Sequence, residues 1–518
     1  VPAAIIAVFL SATALVQQQA FRPLFPDYTF AFSEQTPSGQ LDYLVHRKYN
    51  DTLQLFQGAP AVSVHPPAAH EEAAFPALAN QSGKPHVLVA GSDIVPVLDG
   101  LSMAEYSSID LVVSDIRLFQ KTQQSWPAHV IKFLNRSGVN VVHSSIQQHL
   151  QSAKQRYDII YLAEKHPALM ENALLYFPDN LQHFHQHLSS KGVLCLLFDA
   201  EAASASRVSK AMKGSSYGTL KAEFAHANIL ALDNYTLLLG ADEPLASSFD
   251  EMEKNLYSRN LFPQYFTAFH VENRLLNEQQ IGIDAMKQYP EKISFNKPVM
   301  YLAGLLKLVE NYAVNPATEL MRKAEQIYKH HRAWQLVLLI VSALLFLWFA
   351  KVNLYSASVF QGGFIGIAAQ MMFIYLYQLH FGNIYLVIGL LFALFMVGLT
   401  LALYTPTKKI PEWFAFPVLG LMLLSIMMMF VVRWMAVPFF GVLLSGFYTG
   451  IVFSQSNARV SENNKDSSLL LYINDLMGSV AGNILIPLII IPVAGFYLPI
   501  VLMAAMGVCI YVYTSREI

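Results

Sequence analysis

The sequence predicts two structural classes in one chain: a doubly wound α/β domain outside the membrane and an α-helical transmembrane bundle after it. Three observations predict this. Between about 85 and 240, short apolar runs alternate with amphipathic stretches, the pattern of strands and crossover helices around a mainly parallel sheet. From Trp334 to Tyr513 the chain is almost continuously apolar. Its 518 residues are 54% hydrophobic and only 14% charged, against roughly 25% charged in a soluble protein, and the deficit lies in the C-terminal third. The formal net charge of -2 leaves no basic footprint, so no nucleic-acid partner is expected.

In chain order, the apolar run Ala3 to Val16 has fourteen residues, about 21 Å of helix against a hydrocarbon core of roughly 30 Å. It has neither a basic flank nor a cleavage site, so residues 1–19 read as the end of a transmembrane helix in an N-terminally incomplete chain rather than as a signal peptide. Residues 30–84 precede the α/β core. The core, 85–244, takes its strands from His86–Ala90, Ile109–Ser114, Val139–His143, Tyr157–Leu162, Val193–Phe198 and Tyr235–Gly240. In such sheets the ligand crevice opens at the carboxyl ends of the strands, at the switch point. That places a nucleoside site at Gly91-Ser92-Asp93 and at Asp115. The polar helical patterns of 245–332, among them Glu251–Tyr257 and Pro316–Tyr328, read as a helical connector, with His330, His331 and Arg332 as an anchor at the lipid headgroups.

The bundle, 333–518, divides into about seven helices at 334–351, 358–379, 383–404, 413–432, 434–454, 469–491 and 496–513, since lipid leaves no water to satisfy open backbone. The glycine spacings at 362, 363 and 366, at 446 and 450, and at 478 and 482 let helix backbones approach closely. Asp475, beside Asn474, is an intramembrane polar pair, either a functional site or a structural lock near the helix end. Lys351, Lys408, Lys409, Arg459, Lys465 and Arg516 share one side of the bundle, with only Arg433 opposite. The positive-inside rule makes the basic side cytoplasmic and the α/β domain extracytoplasmic. The juxtamembrane Arg322, Lys323, Lys329 and Arg332 pull the other way. The expected location is an integral one, of the bacterial inner-membrane type, with the bilayer and other membrane or extracytoplasmic proteins as partners.

Cys195 and Cys509 lie in separate apolar segments and suggest neither disulfide nor metal. His183, His185 and His187 have metal-like spacing but no third ligand pattern. They read as a solvated helix face, and no metal is expected.

Several stretches then carry a resemblance. TPSGQLDY from Thr36, LQLFQG from Leu53, HEEAAFPAL from His70 and VLVAG from Val87 resemble the opening of a spermidine synthase, a family with an N-terminal β segment before a methyltransferase-type core. YDII from Tyr157 and SKGVL from Ser190 are similar to two later elements of that family. QLHFGNIY from Gln378, FMVGL from Phe395 and YINDLMGSVAG from Tyr472 resemble its membrane-fused branch.

The resemblance implies aminopropyl transfer from decarboxylated S-adenosylmethionine to a polyamine, yet the residues that would carry it are altered. The family's glycine-rich turn is Gly91-Ser92-Asp93-Ile94-Val95 here, with bulk where backbone should meet cofactor. Asp115 stands as the ribose ligand or as an ordinary strand-end cap, and the acid near the adenine is replaced around His143-Ser144-Ser145. Where the family has two acids that orient and deprotonate the amine, this chain has Ala163 and His166. A carboxylate holds a polycation and takes its proton, alanine does neither, and histidine can accept a proton without attracting a polycation. Glu71 and Glu72 read as amine-binding carboxylates or as solvated charges at a helix start. The expected function is therefore a non-catalytic binding or assembly module with no cofactor. The alternatives are an active aminopropyltransferase using decarboxylated S-adenosylmethionine and a cation transporter working through Asp475.

Overall fold

His86–Gly91 is apolar on both faces, which suits a strand only if its sheet is covered on both sides, and it is an inner strand of such a sheet. The structure, a computed structural model, describes residues 27–36, 39–49, 51–56, 59–61, 65–164, 170–200, 207–274, 277–289, 292–295, 298–301, 303–304, 354–382, 387–405, 411–460 and 466–514. The chain divides into two units, one drawn from 1–166 and 181–290, the other from 167–180 and 291–518. The sequence-based boundaries therefore shift. Residues 167–180 leave the expected core of 85–244, and the expected connector divides at 290/291. The expected helices at 1–19 and 334–351, and His330 to Arg332, lie outside the described residues.

The first unit opens with four antiparallel strands, β1 (Tyr28–Thr36), β2 (Gly39–His46), β3 (Thr52–Phe56) and β4 (Ala59–Pro60), paired in chain order. Helix α1 (Ala69–Leu78) follows. The main sheet then builds from β5 (His86–Gly91), β6 (Ser108–Val113), β7 (Val139–His143), β8 (Tyr157–Ala163), β9 (Leu188–Asp199), β10 (His226–Ala231) and β11 (Tyr235–Ala241). Its order is β10-β11-β9-β8-β5-β6-β7. Strands β5 to β9 are parallel, whereas β11 runs antiparallel to β9 and to β10. Helices α2 (Val95–Ser102), α3 (Ile116–Gln123), α4 (Ala128–Leu134) and α5 (Ile146–Ser152) connect the early strands. The result is a seven-stranded mixed sheet with helices between its strands. Tyr161, fully buried in β8, donates its hydroxyl to Ala74 O at 2.7 Å and so pins α1 to the sheet.

After β8 the chain forms α6 (Met170–Leu174), then α7 (Pro178–Gln186), along which it returns to the first unit. Helices α8 (Arg207–Glu223), α9 (Phe249–Ser258), α10 (Ala268–Arg274) and α11 (Asn277–Lys287) complete that unit.

The second unit is helical: α12 (Leu354–Phe381), α13 (Ile388–Leu403), α14 (Ala415–Met429), α15 (Ala436–Val460), α16 (Asp466–Leu485), α17 (Ile491–Ala494) and α18 (Tyr497–Thr514). Among the described residues, three helical stretches, Tyr355–Phe381, Ala436–Val460 and Ser468–Ile490, are long and apolar enough to cross a membrane. Close backbone approach explains the glycines. A Cβ on Gly478 would collide with Phe360 O of α12, and one on Gly446 with Phe395 O of α13, so both contacts lie within this chain. Residues 170–180 belong to this unit by contact, although in sequence they interrupt the first. The Asn180 amide donates to Leu174 O at 2.8 Å and to Leu379 O at 3.4 Å, and the Phe177 ring lies 5.5 Å from that of Phe295.

Candidate functional site

The switch point of the main sheet lies between β5 and β8, where the strand order turns back, and ligands of doubly wound sheets bind at such a crevice. Gly91 pairs in register with Ala163 across it. Gly91 takes φ +128°, a conformation that side chains disfavour, and a Cβ there would strike the Ala163 carbonyl. The one surviving glycine thus makes room for the neighbouring strand of the same chain. Asp93 N donates to Ala163 O at 2.9 Å, closing the turn from below.

Glu164, the residue after Ala163, completes the closure. Its carboxylate accepts from Ser92 N at 3.1 Å and from Ser92 Oγ at 2.8 Å. The backbone N–H that would face a ligand at this turn is therefore occupied by a buried carboxylate of the chain itself. Asp93 turns away toward a second cluster. Its Oδ2 accepts from the Tyr235 hydroxyl at 3.0 Å, and its Oδ1 lies 2.9 Å from His65 Nε2. That His65 contact is close enough for an ion pair but lies off the line of an N–H···O bond. Burial, followed by the Asp93 charge, pushes the Tyr235 hydroxyl far above its ordinary pKa, so it acts here as a donor.

Asp115 is the N-cap of α3, accepting from Arg117 N at 2.9 Å and Leu118 N at 3.0 Å, which satisfies two of the four orphan donors of the helix start.

The solvated reading of Glu71 and Glu72 is overturned. Both are buried, at 3% and 5% exposure. Glu71 accepts from Gln264 N, Tyr265 N and Phe266 N at 2.7 to 3.1 Å, gathering the loop before α10 onto the first turn of α1. Glu72 holds Asn234 by its backbone N at 2.7 Å and its side-chain amide at 2.9 Å. A buried charge needs such partners, and each carboxylate has found them in backbone N–H groups.

The histidine cluster is corrected too. His183 is buried, its ring edge-on to His187 at 4.8 Å, and His187 Nδ1 lies 2.8 Å from His183 O. His185 bridges Glu223 at 3.0 Å and Asp242 at 2.8 Å. Among the described residues no group of three or more His, Cys, Asp or Glu could hold a metal. Ala163 ends β8, fully buried, and His166 lies outside the described residues. In the helical unit Asn474 donates to Leu470 O at 2.9 Å, and Asp475 Oδ1 is buried with no hydrogen-bond partner among the described residues.

Sequence reasoning missed Glu164, His65, Tyr235 and Lys213. The fully buried ammonium of Lys213 donates to Asp199 O at 2.6 Å and Thr236 Oγ1 at 3.1 Å. Glu164 had a signal: it is an acid one step beyond Ala163, at the strand end. The other three have none, because their partners are remote in sequence.

No family model and no curated protein sequence matches this chain. Its neighbours among solved structures are spermidine synthases and methyltransferases at low identity. Spermidine synthase from Thermotoga maritima is 12% identical over 49% of this chain and 87% of its own, with a TM-score of 0.39. A probable spermidine synthase from Corynebacterium glutamicum is 14% identical over 47% and 92%, with a TM-score of 0.31. Human methyltransferase-like protein 13, solved with SAH, is 18% identical over 37% and 90%, with a TM-score of 0.29. Likeness this loose does not bear on activity.

Proposed function

We propose that the protein is an integral membrane protein whose α/β unit keeps a synthase-like fold without aminopropyl transfer and serves binding or assembly in a membrane complex. The observation that carries this reading is the Glu164 carboxylate on Ser92 N and Oγ at the switch point. A nucleoside cofactor reaching Ser92 N would have to displace a buried carboxylate that already accepts two hydrogen bonds there, which costs about 1–3 kcal/mol or more. Asp115, Glu71 and Glu72 are each held by backbone N–H groups, so a ribose or a polyamine would have to compete with helix and loop contacts. The residues present do not fit decarboxylated S-adenosylmethionine in the manner the resemblance implies.

Calorimetric titration of the detergent-purified protein with S-adenosylmethionine, its decarboxylated form and methylthioadenosine tests the reading. No binding at millimolar ligand is the expected result. Micromolar binding would restore the transferase, and amine acceptors would then be assayed.

Cation transport is a second reading, favoured by the partnerless Asp475 Oδ1 in an apolar helix, where an ionisable group is costly. Vesicle uptake that vanishes in Asp475→Asn would support it, and uptake equal in both proteins would remove it.

A further inference from the structure

One end of the helical unit holds a cavity of about 70 Å³, several times the roughly 10–15 Å³ that a single water requires. Its walls come from the start of α12 (Tyr355, Ser358, Gln361), the start of α14 (Phe416), the second half of α15 from Tyr448 at its midpoint, and the end of α18 (Tyr511). Among the described residues, no Asp, Glu, Lys, Arg or His lines it. We propose that this cavity binds a lipid-soluble molecule with an uncharged, carbonyl-bearing ring as its head group. The proposal rests on the reading that the helical unit sits in a bilayer.

Four observations fix the ligand class. With no charged wall among the described residues, a charged head would lose its hydration with no counter-ion there to replace it, so the head is neutral. Phe416 and Tyr511 stack with centroids 5.0 Å apart at 29°, and Tyr355 and Tyr448 add two more rings, a lining suited to the face of a planar group. Tyr448 accepts from the buried Gln361 amide at 3.0 Å, and among the described residues nothing accepts its own proton. A hydroxyl held in place by its lone pair and left with a free proton is a donor looking for an acceptor, which a ring carbonyl supplies. Depth is the last. Tyr355 and Tyr511 lie within a turn of their helix ends, while Gln361 lies seven residues into α12, about 10 Å along the axis. A site running from the head-group level into the hydrocarbon suits an amphiphile better than a solute from water.

The glycine in the wall belongs to this design. A Cβ on Gly507 would press on Leu419 Cδ2 and approach the Gln361 amide, so Gly507→Ala narrows the cavity without altering any polar group.

The test uses the full chain in phosphatidylcholine nanodiscs and a decyl-tailed benzoquinone as probe, with binding read by tryptophan quenching. The expected result is saturable binding that weakens about three- to tenfold in Tyr448→Phe, the effect of one neutral hydrogen bond, and that also weakens in Gly507→Ala. Thermal unfolding of both variants checks that they fold. If Tyr448→Phe unfolds, Gly507→Ala and Gln361→Leu carry the test. Non-saturable quenching, or quenching equal in wild type and folded variants, would overturn the proposal as mere partition into lipid. Equal competition by decyltrimethylammonium would overturn the neutral-head assignment. Carbonate washing of membranes tests the underlying reading separately: release of the protein would sink the bilayer placement, whereas retention without saturable binding would sink only the cavity.

Discussion

Glu71 illustrates how far a single side chain can depart from its sequence context. Two acids opening a helix suggest the ordinary interaction with the helix start, but Glu71 takes three backbone N–H groups from a loop 193 to 195 residues away. Removing it leaves buried donors without acceptors. Glu71→Ala should therefore cost about 3 kcal/mol, seen as a lower thermal midpoint of the full chain, with Glu71→Gln intermediate. A midpoint unchanged in Glu71→Ala would mean that water replaces the carboxylate. The turn after Gly91 was legible in the sequence as a departure from a glycine-rich pattern, because Ser92, Ile94 and Val95 follow its one glycine. Its contact with Glu164 was not legible. Only the register of β5 against β8 brings Glu164 onto Ser92, and side-chain identity does not encode that register.

At the level of elements, His185 joins α7 to the end of α8 and to the residue after β11. Burial works against its charge, yet the hydrogen bonds to Asp242 and Glu223 outweigh it and raise the imidazole pKa above the ordinary 6.5. A raised folded-state pKa means that protonation favours the folded form. The contribution is complete below about pH 6.5 and fades as pH rises through the folded-state value. The gap in thermal midpoint between wild type and His185→Gln should be widest near pH 5.5 and close toward pH 8.5. A gap independent of pH would assign His185 to packing alone. Helix pairing yields a second expectation. Gly478 lets α16 meet α12 at the Phe360 carbonyl, so Gly478→Ala should lower stability in detergent by about 1–3 kcal/mol. Such small-residue spacings were readable as close helix contacts. Which helix each glycine meets follows from the bundle's connectivity alone.

For the whole molecule, the strand–helix alternation and the long apolar C-terminal third both came through from sequence, because burial on two faces and exposure to lipid each impose a composition. The unit boundary did not, since a detour of fourteen residues, 167–180, alters neither period nor composition enough to register. The proposed orientation puts the basic loops in the cytoplasm and the α/β unit outside. In a Cys195→Ser, Cys509→Ser background, Glu243→Cys should react with a membrane-impermeant maleimide on intact cells, and Lys408→Cys should react only after lysis. The reverse pattern would invert the topology and remove one support for a non-catalytic role.

The detour also sets a timetable for biosynthesis. Asn180 leaves the ribosome 199 residues ahead of Leu379, whose carbonyl it binds. At roughly 5–20 residues per second the interval is roughly 10–40 s. During it the nascent sheet can zip up through β11, while the Phe177 and Asn180 segment waits as a dangling lariat whose dock has not yet been translated. A pause, chaperone or truncation acting inside that window would trap a finished sheet with an unmoored loop.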